Sequence, residues 1–274
     1  MNNLSSSRLK RTLIYILAIL TVTIFLFPII YALILSFQRE QTLLSGFTLI
    51  FTPSLTNWRE IFEIREFGRY LMNSTVIGLV TATINIILGA PAGYSLARLK
   101  LRSTRGMAYY MLIARMAPPI VMAIPFFLIM NRLGILGTRI AVMLSHILFT
   151  LAFSIWIMKN FFEQISITQE EAAFLSGASV FQTLWYVVFP QALPGVFATY
   201  FLSFVFSWNE FLYAFILSNR ATRTIPSQVA TFQSQVDVSY GGLAAVVVLA
   251  VIPTLIGIFI GQKYLLYGFA GSLD

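Results

Sequence analysis

The sequence has no cysteine, one histidine and few charges: 18 Lys and Arg with 10 Asp and Glu among 274 residues, or 10%. The missing cysteines exclude disulfides and thiolate metal sites and say little about compartment. The lone histidine, His146, makes neither a metal cluster nor a proton relay. No G-x4-G-K-[ST] phosphate loop occurs, so the chain shows no nucleotide-binding motif of that kind; H-E-x-x-H and G-x-S-x-G are missing too. No catalytic residue, metal ligand or bound cofactor is assigned. A soluble domain carries about 25% charged residues, so this chain cannot clothe a water-exposed globule of its size. With 58% hydrophobic residues, lipid is the solvent that accepts its surface.

What the chain does have is apolar runs separated by short polar breaks. A spanning helix needs about 20 mainly apolar residues, and six runs qualify, at about 12–37, 70–97, 106–131, 140–158, 195–218 and 243–262. The first is too long for the roughly 7–15-residue apolar region of a signal peptide, so it reads as an uncleaved span. Backbone groups must be satisfied inside lipid, and the runs lack the alternation of barrel strands, so they are expected to be helices. The expected architecture is an all-α membrane protein, one transmembrane domain over 1–274. The third run is interrupted by Arg115 and bent by Pro118, Pro119 and Pro125. The net charge of +8 sits in short clusters beside apolar runs, which fits anionic headgroups and not nucleic acid.

Orientation follows from those clusters. Arg8, Lys10 and Arg11, then Arg98, Lys100, Arg102 and Arg105, are purely basic and close to span ends. In the loop between the first two runs, Arg39, Arg59, Arg65 and Arg69 are interleaved with Glu40, Glu60, Glu63 and Glu66. The positive-inside rule then places both termini in the cytoplasm. The first outer loop, 38–68, contains a turn at Pro53–Ser54 and a helix expected from Trp58 to Glu66, capped by Thr56 or Asn57. That helix reads either as interfacial, anchored by Trp58, or as an ordered cover over the bundle.

Ala172 to Asn209 is uncharged for 38 residues, too long for one crossing. It parses as two short helices before the fifth span: one ending near Gly177, since glycine suits a C-terminal turn, and one from Ser179 to Val188 stopping before Pro190. With cytoplasmic termini this helix–turn–helix lies inside the cell. Its Phe174, Leu175, Phe181, Leu184 and Trp185 then need a partner surface or the membrane interface.

Glu171-Ala172-Ala173, three residues, Gly177, nine residues and Val187-Val188-Phe189-Pro190 resemble the EAA loop of binding-protein-dependent ABC importer permeases, E-A-A-x3-G-x9-I-x-L-P. Asn73-Ser74, Ala97-Arg98, Leu133 to Thr138 and Trp208 to Ala214 resemble the carbohydrate, MalG-like branch, over about Thr12 to Tyr267. The tail from Gly268 to Asp274 departs from the branch's Gly-Ala-Val-Lys-Gly ending. The resemblance implies a coupling loop at about 163–194, between spans four and five, seated on a cytoplasmic ATPase. Glu171 would pair with a basic group there, Ala172 and Ala173 would allow close approach, Gly177 would turn the chain and Pro190 would end the second helix. It also implies a second permease subunit, usually a different chain, two ATPase subunits carrying ATP and Mg, and an external solute-binding protein, all at the inner membrane.

Candidates for the solute path are Trp208, Asn209, Glu210, Arg115 and Asn73. Ionisable groups inside spans face a cavity or a partner. Glu210 lies 15 residues after Gly195, about 22 Å along a helix, past the midplane of a core about 30 Å thick. Arg115 should lie at a different depth, which leaves Glu210 without an obvious internal cation and favours a polar cavity; a helix–helix hydrogen bond is the other reading. Asn73 and Asn85 also read as helix-joining residues. The competing function is an autonomous secondary transporter or channel, which should show inverted repeats with matched broken helices or a filter loop. Neither is visible.

Overall fold

The computed structural model describes residues 2–46, 48, 50–99, 106, 113, 118–232 and 239–270. Among them the regular elements are helical: α1 (Asn2–Ser36), α2 (Glu40–Leu44), α3 (Thr56–Arg59), α4 (Phe67–Arg98), α5 (Pro119–Arg132), α6 (Arg139–Gln164), α7 (Ile167–Leu175), α8 (Val180–Thr183), α9 (Phe189–Trp208), α10 (Leu212–Leu217), α11 (Ile225–Phe232) and α12 (Tyr240–Ala270). Wider π turns follow α3 (Glu60–Ile64) and α8 (Leu184–Val188). Among the described residues, five helical stretches are long and apolar enough to cross a membrane: Lys10–Ser36, Phe67–Arg98, Arg139–Gln164, Val180–Trp208 and Tyr240–Phe259. The expected third span appears as α5, 14 residues starting at its own prolines; Arg115 and most of that run's first half lie outside the described residues, as do Lys100, Arg102, Arg105 and the last four residues.

Two compact units divide the chain, Met1–Phe67 with Phe232–Ile252, and Gly68–Thr231 with Pro253–Asp274. In the first, the 27 residues from Lys10 to Ser36 bury none of their apolar window, and side chains such as Phe25 are exposed. Water would make that surface expensive at about 25 cal/mol per Å²; lipid or another apolar helix removes the cost. The loop after α1 corrects the sequence expectation. The helix starts at Thr56, Leu55 occupies the N-cap without a side-chain bond, and buried Asn57 donates instead to the carbonyls of Ser36 (2.9 Å) and Gln38 (2.7 Å). Those carbonyls end α1 without helical partners, and an amide satisfies them better than it would cap a helix already begun. Trp58 lies against Phe37 at 5.9 Å. Glu40 accepts from the backbone N–H groups of Tyr240 (3.2 Å) and Gly241 (3.3 Å), placing a carboxylate at the positive end of α12.

In the second unit α4 and α6 run side by side in the same direction. Asn73 meets Arg139 near their starts, Asn85 meets Thr150 midway, and Gly93 meets Met158 and Lys159 near their ends. A Cβ on Gly93 would lie 2.8 Å from the Lys159 nitrogen and from the Met158 Cβ, and one on Gly89 would touch Ser154 at 3.4 Å. This small-x3-small face lets the two backbones approach. Helix α9 runs the opposite way along α6, joined by Ser203 to Ser154 (2.9 Å) and Thr199 to Met158. Among the described residues, one apolar core gathers Ile77, Met130, Val142, Tyr213 and Leu217, and another Ala90, Tyr94, Met158, Phe162, Val188 and Ala192.

Candidate functional site

The helix–turn–helix expected before the fifth span is present. Helix α7 ends at Leu175, and Gly177 takes φ +85°, the left-handed turn that glycine adopts without a steric cost. Ser179 opens α8 with a capping box: its hydroxyl accepts from the Gln182 N–H, and Gln182 accepts from the Ser179 N–H at 2.8 Å. The sequence signal for this, Ser-x-x-Gln, was available.

Pro190 does not end the second helix. The chain stays helical from Val180 to Trp208, passing through the π turn at Leu184–Val188, where the Phe189 N–H reaches back to the Leu184 carbonyl. The widened turn makes room for the pyrrolidine ring and leaves Pro190 in the first turn of α9, where no donor is missed. The connection is correspondingly shorter than 163–194: α6 continues to Gln164 and α9 begins at Phe189.

Glu171, Ala172, Phe174 and Leu175 are exposed, Leu175 at 91%, while Ala173 is half-buried. On the second arm Val180, Phe181, Trp185 and Tyr186 are exposed, and Phe181, Trp185 and Phe189 form a stacked row with centroid spacings of 6.4 and 4.9 Å. Glu170, the residue before the motif, is 3% exposed. Its Oε1 accepts from Arg98 Nε (2.8 Å) and from Arg98 Nη2, and its Oε2 accepts from the Tyr94 hydroxyl (2.8 Å). Arg98 Nη2 also donates to the Ile165 carbonyl at 3.1 Å. Reasoning from the sequence missed Glu170, because a single sequence does not say that its face of α7 meets Arg98, 72 positions away.

The proposed solute-path residues separate. Trp208 is 1% exposed and stacks on Phe204 at 5.6 Å, so its ring is packing and not a free aromatic face. Asn73 is buried; its amide donates to the carbonyls of Ala221 and Arg223, and its Oδ1 accepts from Arg139. That leaves it no free donor for a solute, so it joins segments, as does Asn85. The fifth span is not continuous to 218: α9 stops at Trp208 and α10 begins at Leu212. Glu210 sits in the break and caps α10, accepting from the N–H groups of Tyr213 (3.0 Å) and Ala214 (3.1 Å). It also meets His146 Nε2 at 3.0 Å, and His146 Nδ1 meets the Ser207 hydroxyl at 2.7 Å. Glu210 therefore has the internal partner the sequence did not reveal, in the histidine given no role. Asn209 remains exposed.

The family model described as "Binding-protein-dependent transport system inner membrane component" matches residues 85–266. The chain belongs to this family. It is 30% identical to the trehalose/maltose transport system permease protein MalG of Thermococcus litoralis over 97% of both chains. It is 32% identical to the trehalose transport system permease protein SugB of Mycobacterium tuberculosis, over 89% of this chain and 90% of that one. Among solved structures, a bacterial ABC transporter involved in the import of the acidic polysaccharide alginate superposes with a TM-score of 0.75 at 26% identity, covering 94% of this chain and 97% of that one. The chain is thus a multi-pass inner-membrane permease of the ABC importer type. Membership sets aside the autonomous transporter or channel.

Proposed function

We propose that this chain is one of two permease subunits of an importer that moves a sugar or sugar-like solute inward, with ATP and Mg held on separate cytoplasmic ATPase subunits. The observation that carries the reading is the 165–188 segment. It displays Phe174, Leu175, Phe181 and Trp185 outward while its one deeply buried group in α7, Glu170, is tied to α4. A firmly held apolar projection of this kind is a docking knob. The carbohydrate class rests on the substrates in the relatives' names. Six spans are supported by the parallel course of α4 and α6, because the chain between them must return the length of the bundle, and α5 lies on that return. Both termini are then cytoplasmic, the 38–68 loop faces an external solute-binding protein, and the exposed α1 meets lipid or the second permease. Among the described members of the solute-path set, Asn209 is the one whose exposure still suits the role.

The test is purification of the chain with its neighbours from native membrane. An ATPase is expected to co-purify, with reporters at Gln169 cytoplasmic and at Leu55 external. A complex without an ATPase, or an external Gln169, overturns the reading.

A further inference from the structure

Helix α7 carries the motif resembling the EAA loop, yet its nine residues bury only Glu170. Among the described residues, the side-chain hydrogen bonds that tie α7 to α4 pass through that carboxylate. Arg98 places two nitrogens on one oxygen, Tyr94 takes the other, and Arg98 reaches on to the Ile165 carbonyl just past the end of α6. The setting is otherwise apolar: Tyr94 meets Phe162 edge-on at 5.5 Å, with Ala97, Ile165 and Leu184 packed around the same core. An apolar contact there could slide along the helix, being non-directional. A guanidinium on a carboxylate fixes direction as well as distance, and in a dry setting neither charge tolerates loss of the other. Beyond the joint, α4 is a 32-residue rod, about 48 Å long, held to α6 by Gly93, Gly89 and the Asn85–Thr150 bond and to the 221–225 segment by Asn73.

We infer that Glu170, with Arg98 and Tyr94, is the joint that makes α7 and the last turns of α4 move as one piece. A displacement of the loop is then delivered to α4 instead of being absorbed in the loop. Glu170 is a positioning residue, distinct from Glu171, which is exposed on the neighbouring face. This inference rests on the importer reading, and the two fail differently: the reading falls at purification if no ATPase accompanies the wild-type complex.

The experiment labels Ser95→Cys on α4 and Ser176→Cys at the loop turn, both exposed positions in a chain without cysteines. The spin-label distance is measured in the full complex with and without ATP and vanadate. In the wild-type background the distance is expected to be the same in both states. Glu170→Gln should broaden it and make it nucleotide-dependent while the ATPase still co-purifies, and Tyr94→Phe, which removes one hydrogen bond, should do the same to a smaller degree. A purely structural bond would change the distance equally in both states. If Glu170→Gln yields no complex, Tyr94→Phe decides alone. A distance that changes with nucleotide in the wild-type background, or stays constant in both variants, overturns the inference.

Discussion

Where Asn73, Arg139 and the 219–225 segment meet, polar side chains are turned inward and used up on one another. Asn73 serves two carbonyls and Arg139, Ser74 accepts from the Ile225 N–H, and Thr222 donates to the Gly137 carbonyl. At the other end of the same unit the plan is reversed: large apolar side chains point outward from the 165–188 segment, and the charge is inside, at Glu170. The first end spends these polar groups within the chain. The second leaves Leu175, Phe181 and Trp185 largely outside the chain's own packing, and on the proposed reading a partner covers them. The difference gives a ranking of substitutions by their effect on the chain's own stability.

The largest effect is expected at Gly93. A leucine there would meet the α6 backbone at Lys159 and the Met158 side chain, and backbone cannot rotate away. Overpacking of this sort costs about 3 kcal/mol or more. Gly93→Leu should abolish the heat-resistant, monodisperse fraction in detergent. Gly89→Ala, whose Cβ would find only a 3.4 Å contact, should leave it nearly intact. Equal behaviour of the two would mean that α4 and α6 are not in this close register.

The second effect belongs to the break between α9 and α10. Glu210→Ala removes the cap on Tyr213 and Ala214 and leaves His146 Nε2 without its partner. A lost cap and an orphaned buried donor together cost about 2 kcal/mol, discounted because the Glu210 side chain is 20% exposed. The expected result is a lower unfolding temperature with little change in apparent solute affinity. Loss of affinity at unchanged stability would return Glu210 to the solute path.

These two sites show what was legible from sequence. Four of the five long helices could be read from composition, since apolar length is written residue by residue, while Val180–Trp208 read as two pieces. The turn at Gly177 could be read because a positive φ leaves a glycine behind. The Gly89–Gly93 face carries a small-x3-small pattern inside a span, but it was missed in the sequence, since the pattern does not name the helix it meets. Pairings between distant segments were not legible either: Glu210 with His146 and Glu170 with Arg98 lie 64 and 72 positions apart, and a single sequence records the residues but not which helix faces meet. The same blindness made Trp208 look like a solute platform and Pro190 a helix stop. One depends on which way a helix is rotated, the other on a π turn that local propensity does not specify.

The smallest effect on stability is expected where the effect on function is largest. Phe181 is 73% exposed at the start of the aromatic row with Trp185 and Phe189. Surface substitutions away from packed or polar networks stay within about 0.5 kcal/mol, so Phe181→Glu should leave the unfolding temperature of the isolated chain unchanged. If the row fills a pocket on an ATPase, the same change removes an aromatic anchor and buries a carboxylate in its place. An anchor of that kind is worth about 2 kcal/mol, about thirtyfold in affinity. The measurement is ATPase retained per chain after washing the purified complex, with unfolding followed in parallel. Retention at the wild-type level would show that the outward aromatic row meets lipid, as an interfacial helix pair would. A drop in both retention and stability would show that Phe181 belongs to this chain's own core and that the contrast between the two ends is misdrawn.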